Sequence, residues 1–165
     1  MEEMISLGVS RFICCGSAGL IDSSFDPKKL LVVTDALRDE GTSYHYLPAG
    51  EEAYTSPLLR EELKAALQNR GIDYAEGRVW TTDAIYRETA GRIERRRNQG
   101  CIAVDMATSA LCAVSQFRGV EFVQMLYFSN HLFSDVWSGY AKNYVELRLQ
   151  ALHMLLKVGG DIAGV

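Results

Sequence analysis

The feature that most constrains this chain is the run from Gly100 to Val114, Gly-Cys-Ile-Ala-Val-Asp-Met-Ala-Thr-Ser-Ala-Leu-Cys-Ala-Val. Cys101 to Val104 is apolar, includes the β-branched Ile102 and Val104, and stops at a carboxylate, Asp105, as a strand buried in a sheet does on emerging from it. Thr108 and Ser109 follow as capping residues, and Ala110, Leu111, Val114 and Phe117 recur at helical spacing as far as Gly119. The unit reads strand, acidic turn, helix. In open α/β sheets ligands bind beyond the carboxyl ends of the strands, so Asp105, Met106 and Ala107 stand where a ligand can be touched. A turn in which Asp105 merely caps the helix fits the same residues.

Further units of this kind flank it. Met1 to Leu7 has helical spacing and is ended by Gly8, and Arg11 to Cys15 reads as a strand. Gly16-Ser17-Ala18-Gly19 then reads as a tight turn, whose backbone amides either face an anion or let chain pass close to chain. Leu30 to Leu37 is a strand, and Arg38 to Ala49 a polar, tyrosine-rich connection in which His45 has no evident metal or nucleophile partner. Ser56-Pro57 opens a helix with Leu58, Leu59, Leu63, Ala66 and Leu67 on one face and Gly71 past its end. Ile72 to Trp80 returns as a strand, and Glu88 to Asn98 reads as a surface helix with Arg95-Arg96-Arg97 on its solvated face. Glu121 to Phe128 is the last strand and delivers Ser129-Asn130-His131 at its end. Tyr140 to Val158, with Tyr144, Leu147, Ala151, Leu152, Leu155 and Leu156 at helical spacing, should cover a sheet face, with His153 packed or at the surface. This alternation predicts an α/β three-layer sandwich with a mixed, largely parallel sheet and right-handed crossovers.

Composition narrows the function classes. With 165 residues, 48% of them hydrophobic, residues 1–165 are expected to form a single domain. A net charge of -4 gives no field for nucleic acid or for an anionic membrane, so neither is expected as a partner. No run approaches the roughly 20 apolar residues of a membrane span, and Met-Glu-Glu-Met is acidic where a signal segment is basic, so a cytoplasmic protein is expected. The four cysteines, Cys14, Cys15, Cys101 and Cys112, show no C-x-x-C spacing and no nearby histidine. They read as reduced, buried thiols, and no metal site is expected.

The string Val-Asp-Met-Ala-Thr-Ser-Ala-Leu, Val104 to Leu111, resembles the Val-Glu-Met-Glu-x-x-Ala-Leu signature of the nucleoside phosphorylase family, which includes bacterial purine nucleoside and uridine phosphorylases. Gly16 to Gly19, Gly77 to Tyr86 (Gly-Arg-Val-Trp-Thr-Thr-Asp-Ala-Ile-Tyr), Phe128-Ser129-Asn130-His131 and the loop Glu40-Gly41-Thr42-Ser43-Tyr44 agree in order and spacing. The resemblance runs over nearly the whole chain and is most specific in the two middle blocks. It implies phosphorolysis of a nucleoside to free base and ribose 1-phosphate, with phosphate as co-substrate, no cofactor, and a homo-oligomer built as a dimer or multiple of dimers. It further implies Gly16 and Ser17 at the phosphate, Asp105, Met106 and Ala107 at the ribose, and Ile85, Tyr86, Val104 and Ser129 at the base. Asn130 is the implied catalytic residue. A core-facing Ile85 and Tyr86 remains an alternative from the residues alone.

The chain departs from the family pattern at chemically important positions. The second Glu of Val-Glu-Met-Glu, which anchors the ribose hydroxyls, is Ala107; the family's proton-donating Asp is Asn130; and an arginine two residues before Gly16 is Cys14. Thr89 and Gly91 stand where uridine phosphorylases place Gln and Arg, which argues against strict uracil specificity. By the same resemblance the chain starts inside the helix before the Gly16 strand. The family's first strands carry a glycine-and-arginine phosphate loop and residues donated across the dimer, so an uncovered sheet edge or core face is expected here. Three activities follow from these departures: a weak phosphorylase, a non-catalytic nucleoside-binding relative or oligomer subunit, and a nucleosidase that uses water. All share one expectation, that the strand ends carrying Gly16, Met106 and Asn130 converge on one pocket.

Overall fold

The structure, a computed structural model, describes residues 1–132 and 144–164. In chain order the elements are α1 (Glu2–Ser6), β1 (Arg11–Leu20), β2 (Leu30–Asp39), β3 (Ala53–Tyr54), α2 (Pro57–Asn69), β4 (Tyr74–Thr82), α3 (Ala90–Asn98), β5 (Cys101–Asp105), α4 (Thr108–Arg118), β6 (Glu121–His131) and α5 (Tyr144–Ala163). The expected alternation is therefore present, with the short β3 added. Residues 140–143, where the last helix was expected to begin, lie outside the described residues, as do the side chains of Tyr144 and Leu147.

The sheet order is β3-β2-β4-β5-β1-β6, and β6 pairs back onto β2. Strands β2, β4 and β5 are mutually parallel, as are β1 and β6. Antiparallel contacts join the two sets, Gly19 with Val104 between β1 and β5, and Leu31 with Leu126 between β2 and β6. The mixed α/β sheet with its covering helices is the expected one, but it closes on itself, because the β2–β6 pairing occupies what would otherwise be a free edge. The uncovered strand edge is thus not found: among the described residues only two-residue β3 lies outside the ring. A row of exposed apolar side chains on α5 is found instead, Val145, Leu149, Leu152 and Leu156.

All five ring strands contribute to one core, formed by Ala18, Leu20, Leu31, Val33, Ala36, Val79, Ala103, Leu126 and Phe128. Phe25, from the β1–β2 connection, meets Phe128 edge-to-face at 5.3 Å. Outside the ring, α2 and α5 pack on Val32, Val123 and Met125. Trp80, Ile93, Cys101 and Val104 form a separate cluster beneath α3. Ser56 accepts a hydrogen bond from the amide of Leu59 and Pro57 opens α2, as its sequence implies. Leu58, placed on the apolar face by spacing, is exposed, because the buried stripe is the narrower set Leu59, Leu63, Ala66 and Leu67.

Two strands run further than their apolar runs. Gly16-Ser17-Ala18-Gly19 is not a turn: β1 continues to Leu20, with Gly16, Ser17 and Ala18 paired to Leu126, Tyr127 and Phe128. The glycines are there for close approach, since a Cβ on Gly19 would stand 2.7 Å from Leu132 Cδ1 and 3.2 Å from Val104 Cγ1. Likewise β6 holds Ser129, Asn130 and His131 within the strand, past an irregularity in its register with β1.

Candidate functional site

The carboxyl ends of β2, β4 and β5 are tied together by two buried carboxylates. Asp105 accepts from Thr81 Oγ1 (2.7 Å) on one oxygen, and on the other from Thr108 Oγ1 (2.7 Å) and the amides of Thr108 (2.9 Å) and Ala107 (3.1 Å). These amides open α4, where a helix leaves its donors without internal partners, so Asp105 supplies the cap expected from Thr108 and Ser109. Burial pushes the Asp105 carboxyl up, and the four donors oppose that rise. Both of its oxygens are engaged and the residue is 8% exposed. Asp105 therefore does not present a free carboxylate to a ribose.

Glu40 is the second of these carboxylates. It accepts from Ser109 Oγ (2.7 Å) and from the Ser43 amide (3.0 Å), while the Ser109 amide donates to Thr81 Oγ1 (3.0 Å). Burial works to raise its pKa, but the donors from Ser43, Ser109 and Thr42 prevail and hold it below the ordinary value. The connection after β2, polar and tyrosine-rich in sequence, nonetheless contains a buried Glu40 and Ser43 and a short 3-10 turn, Thr42–His45. Arg38 pins it further by donating to the carbonyls of Leu47, Pro48 and Glu51. Nothing in a polar loop sequence distinguishes a carboxylate that folds inward.

Beyond this knot Met106 and Ala107 are exposed. Ile85 and Tyr86 lie in a 3-10 turn after β4, 45% and 97% exposed, so the alternative of core-facing side chains does not hold. Val104 faces the other way, buried against Trp80, Ile93 and Cys101, and cannot contact a base without repacking. Arg96, expected in solvent, donates to Asp39 at 3.0 Å together with Arg92 at 2.6 Å, and both guanidinium groups lie over Trp80 at 5.6 Å.

Next to this turn Glu88 is half-buried, and burial pushes its carboxyl up to about 7. Between its unperturbed value and about 7 the folded chain therefore holds a proton that the unfolded chain has released, so folding stability falls as pH rises through that window. Urea midpoints for the chain and Glu88→Gln at pH 5 and pH 7.5 should show this decline only where the carboxyl is present. Equal declines in both would remove Glu88 as its source.

At the other end of the arrangement, Ser129 is buried and its hydroxyl donates to Asn130 Oδ1 at 3.1 Å. That contact orients the amide so that its N–H groups, which have no partner among the described residues, are the ones left to donate. Register places Gly19 of β1 between Val104 of β5 and Asn130 of β6. Two strand spacings, about 10 Å, therefore separate Val104 from Asn130. Ser17, two residues earlier on β1, pairs with Tyr127 of β6. The strands carrying Gly16 and Asn130 are therefore paired, and β5, which ends one residue before Met106, pairs with the other edge of β1. Gly16 and Ser17 also line a groove of about 590 Å³ between α5 and the β1–β6 surface; Met106 and Asn130 are not part of its wall.

Cys14 lies on the opposite side of β1 from Ser17, packed with Phe12, Leu111 and Phe122. Burial raises all four thiols, Cys15 to about 12 and Cys101 to about 11, which keeps them protonated and unreactive. Among the described residues no group of three His, Cys, Asp or Glu side chains is placed to hold a metal ion, and no helix is long and apolar enough to cross a membrane.

A sequence model of the phosphorylase superfamily matches residues 1–151. The chain belongs to the phosphorylase superfamily. This phosphorylase-superfamily chain is 28% identical over 137 residues to the DeoD-type purine nucleoside phosphorylase of Bacillus cereus, a match covering 81% of the chain and 58% of that protein. It is 32% identical over 121 residues to an uncharacterized protein of Acanthamoeba polyphaga mimivirus, covering 73% of the chain and 46% of its relative. The fold superimposes with a TM-score of 0.82 on the crystal structure of purine nucleoside phosphorylase from Toxoplasma gondii in complex with immucillin-H, at 21% identity over 95% of this chain and 65% of that one. The chain thus spans about half the length of the curated relatives it matches, and its place among nucleoside phosphorylases agrees with the motif of Val104 to Leu111.

Proposed function

We propose that the protein is a nucleoside phosphorylase-like pentosyltransferase acting slowly on a nucleoside. The observation that carries this reading is the strand order, which sets β1, with Ser17, between β5, which ends one residue before Met106, and β6, which carries Asn130 near its end. In the reaction the bond from ribose C1′ to the base nitrogen breaks with its electron pair leaving on the base. A phosphate oxygen bonds to C1′, and the base takes its proton from solvent or from the phosphate. Ser17 donates to that phosphate beside the Gly16 backbone, Met106 packs on the sugar, and Ile85 and Tyr86 offer an exposed apolar wall for the base. Asn130, held by Ser129, donates a hydrogen bond to the departing nitrogen but has no proton to give up.

A second reading, a relative that binds nucleosides without turnover, is favoured by the ribose side. Ala107 brings no carboxylate, and the engaged Asp105 does not replace it. The reading includes association into dimers or multiples of dimers, which would cover apolar surface such as Leu156 on α5, 65% exposed. Incubation with inosine, adenosine and uridine, with and without phosphate, tests the set. Phosphate-dependent release of base is expected; binding without release would leave the second reading, and equal release in both conditions would indicate a nucleosidase.

A further inference from the structure

We propose that Arg148 of α5 supplies the cation for phosphate in this chain, reaching the β1 groove from the helix side; this rests on the phosphorylase reading above. The groove walls include Ser17, Tyr127 and Arg148 among the apolar Leu149, Leu152 and Leu155, and contain no carboxylate. Arg148 is its only cation among the described residues. Most arginines of the molecule are already neutralised: Arg11, Arg60, Arg70, Arg78, Arg92, Arg96 and Arg118 each pair with a carboxylate. Arg148 has no ion pair or hydrogen bond among the described residues. A guanidinium without a carboxylate partner, lining the same groove as a serine hydroxyl, suits a tetrahedral oxyanion, because its planar fork can bind two oxygens at once.

The strand position offers no alternative. Side chains alternate across β1, and Cys14 points into the cluster of Phe12, Leu111 and Phe122, away from the face that carries Cys15 and Ser17. Cys14 is itself a neutral thiol held so by burial, and brings no charge to an anion in this chain. Cys15, which does line the groove, is a neutral thiol held so by burial. Among the described residues α5 is therefore the remaining source of positive charge for an anion bound beside Ser17.

Calorimetric titration of the full chain with inorganic phosphate tests this directly. Arg148→Gln is expected to weaken phosphate binding by about tenfold or more, Arg148→Lys by less, since an ammonium keeps the charge but not the fork. Ser17→Ala should weaken it severalfold, whereas Arg97→Gln, on the exposed face of α3, should leave it unchanged. Phosphate affinity in Arg148→Gln within twofold of the unaltered chain, or equal losses in Arg148→Gln and Arg97→Gln, would overturn the assignment, as would an unaltered chain that binds no phosphate. Loss of affinity in Arg148→Gln without base release by any form would uphold the anion site and overturn the phosphorylase reading. Release of base with phosphate affinity indifferent to Arg148 would do the reverse.

Discussion

Introducing the two carboxylates of the family motif, Ala107→Glu with Asn130→Asp, is expected to accelerate phosphate-dependent base release by two to four orders of magnitude. Two charge-assisted hydrogen bonds to the ribose hydroxyls contribute about 1.5 to 3 kcal/mol each. Together that is about 3 to 6 kcal/mol, and each 1.36 kcal/mol is tenfold in rate provided the bonds strengthen as positive charge develops on the sugar. The backbone is prepared for the change. Ala107 is exposed just past β5, and its amide is already held by Asp105 at 3.1 Å, so a glutamate there would project from a fixed point. At position 130 the Ser129 hydroxyl would donate to a carboxylate oxygen as it does to the amide oxygen now, leaving the other oxygen to carry the proton that the departing base requires. Spectrophotometric assays with inosine, on the double variant and on each single variant, separate anchoring from proton transfer. A double variant no faster than the unaltered chain would remove positions 107 and 130 from the chemistry.

How much of this was legible beforehand depends on what each signal encodes. Periodicity and turn residues encode local structure, and the order of strands and helices, the Ser56-Pro57 start of α2 and the strand–turn–helix unit at Asp105 all followed from them. Pairing between distant strands leaves no local trace, so the contact of Leu31 with Leu126 that closes the sheet was invisible. Glycine was the most misleading residue: Gly16 and Gly19 suggest a turn, but in β1 they make room for Gln124, Leu132 and Val104 side chains. The family motif set Gly16, Met106 and Asn130 at strand ends around one pocket and Val104 at the base, whereas the fold buries Val104 in the α3 cluster, a long-range contact that a local motif does not encode. Nor did it point to Arg148, since one arginine on the polar side of an amphipathic pattern is indistinguishable from any solvated charge.

The same distinction decides the role of Asp105, for which structure and motif make opposite predictions. If it were a sugar ligand, Asp105→Ala would abolish nucleoside binding and leave folding stability nearly untouched. The hydrogen bonds predict instead a loss of about 3 to 5 kcal/mol, in the range seen when a buried charge is removed from its partners. Four donors lose their acceptor together: the hydroxyls of Thr81 and Thr108, both fully buried, and the two amides that begin α4. Thr81 Oγ1 also accepts from the Ser109 amide, and the Ser109 hydroxyl donates to Glu40, so the disturbance passes from β5 through α4 to the connection after β2. Asp105→Asn keeps one acceptor oxygen and should recover about half of the lost stability, because neutral hydrogen bonds are roughly half as strong as charge-assisted ones. Urea unfolding of the three proteins measures this. For a domain whose whole stability is about 5 to 15 kcal/mol, the alanine variant should unfold at a much lower urea concentration. An unchanged midpoint with lost nucleoside affinity would return Asp105 to the ribose.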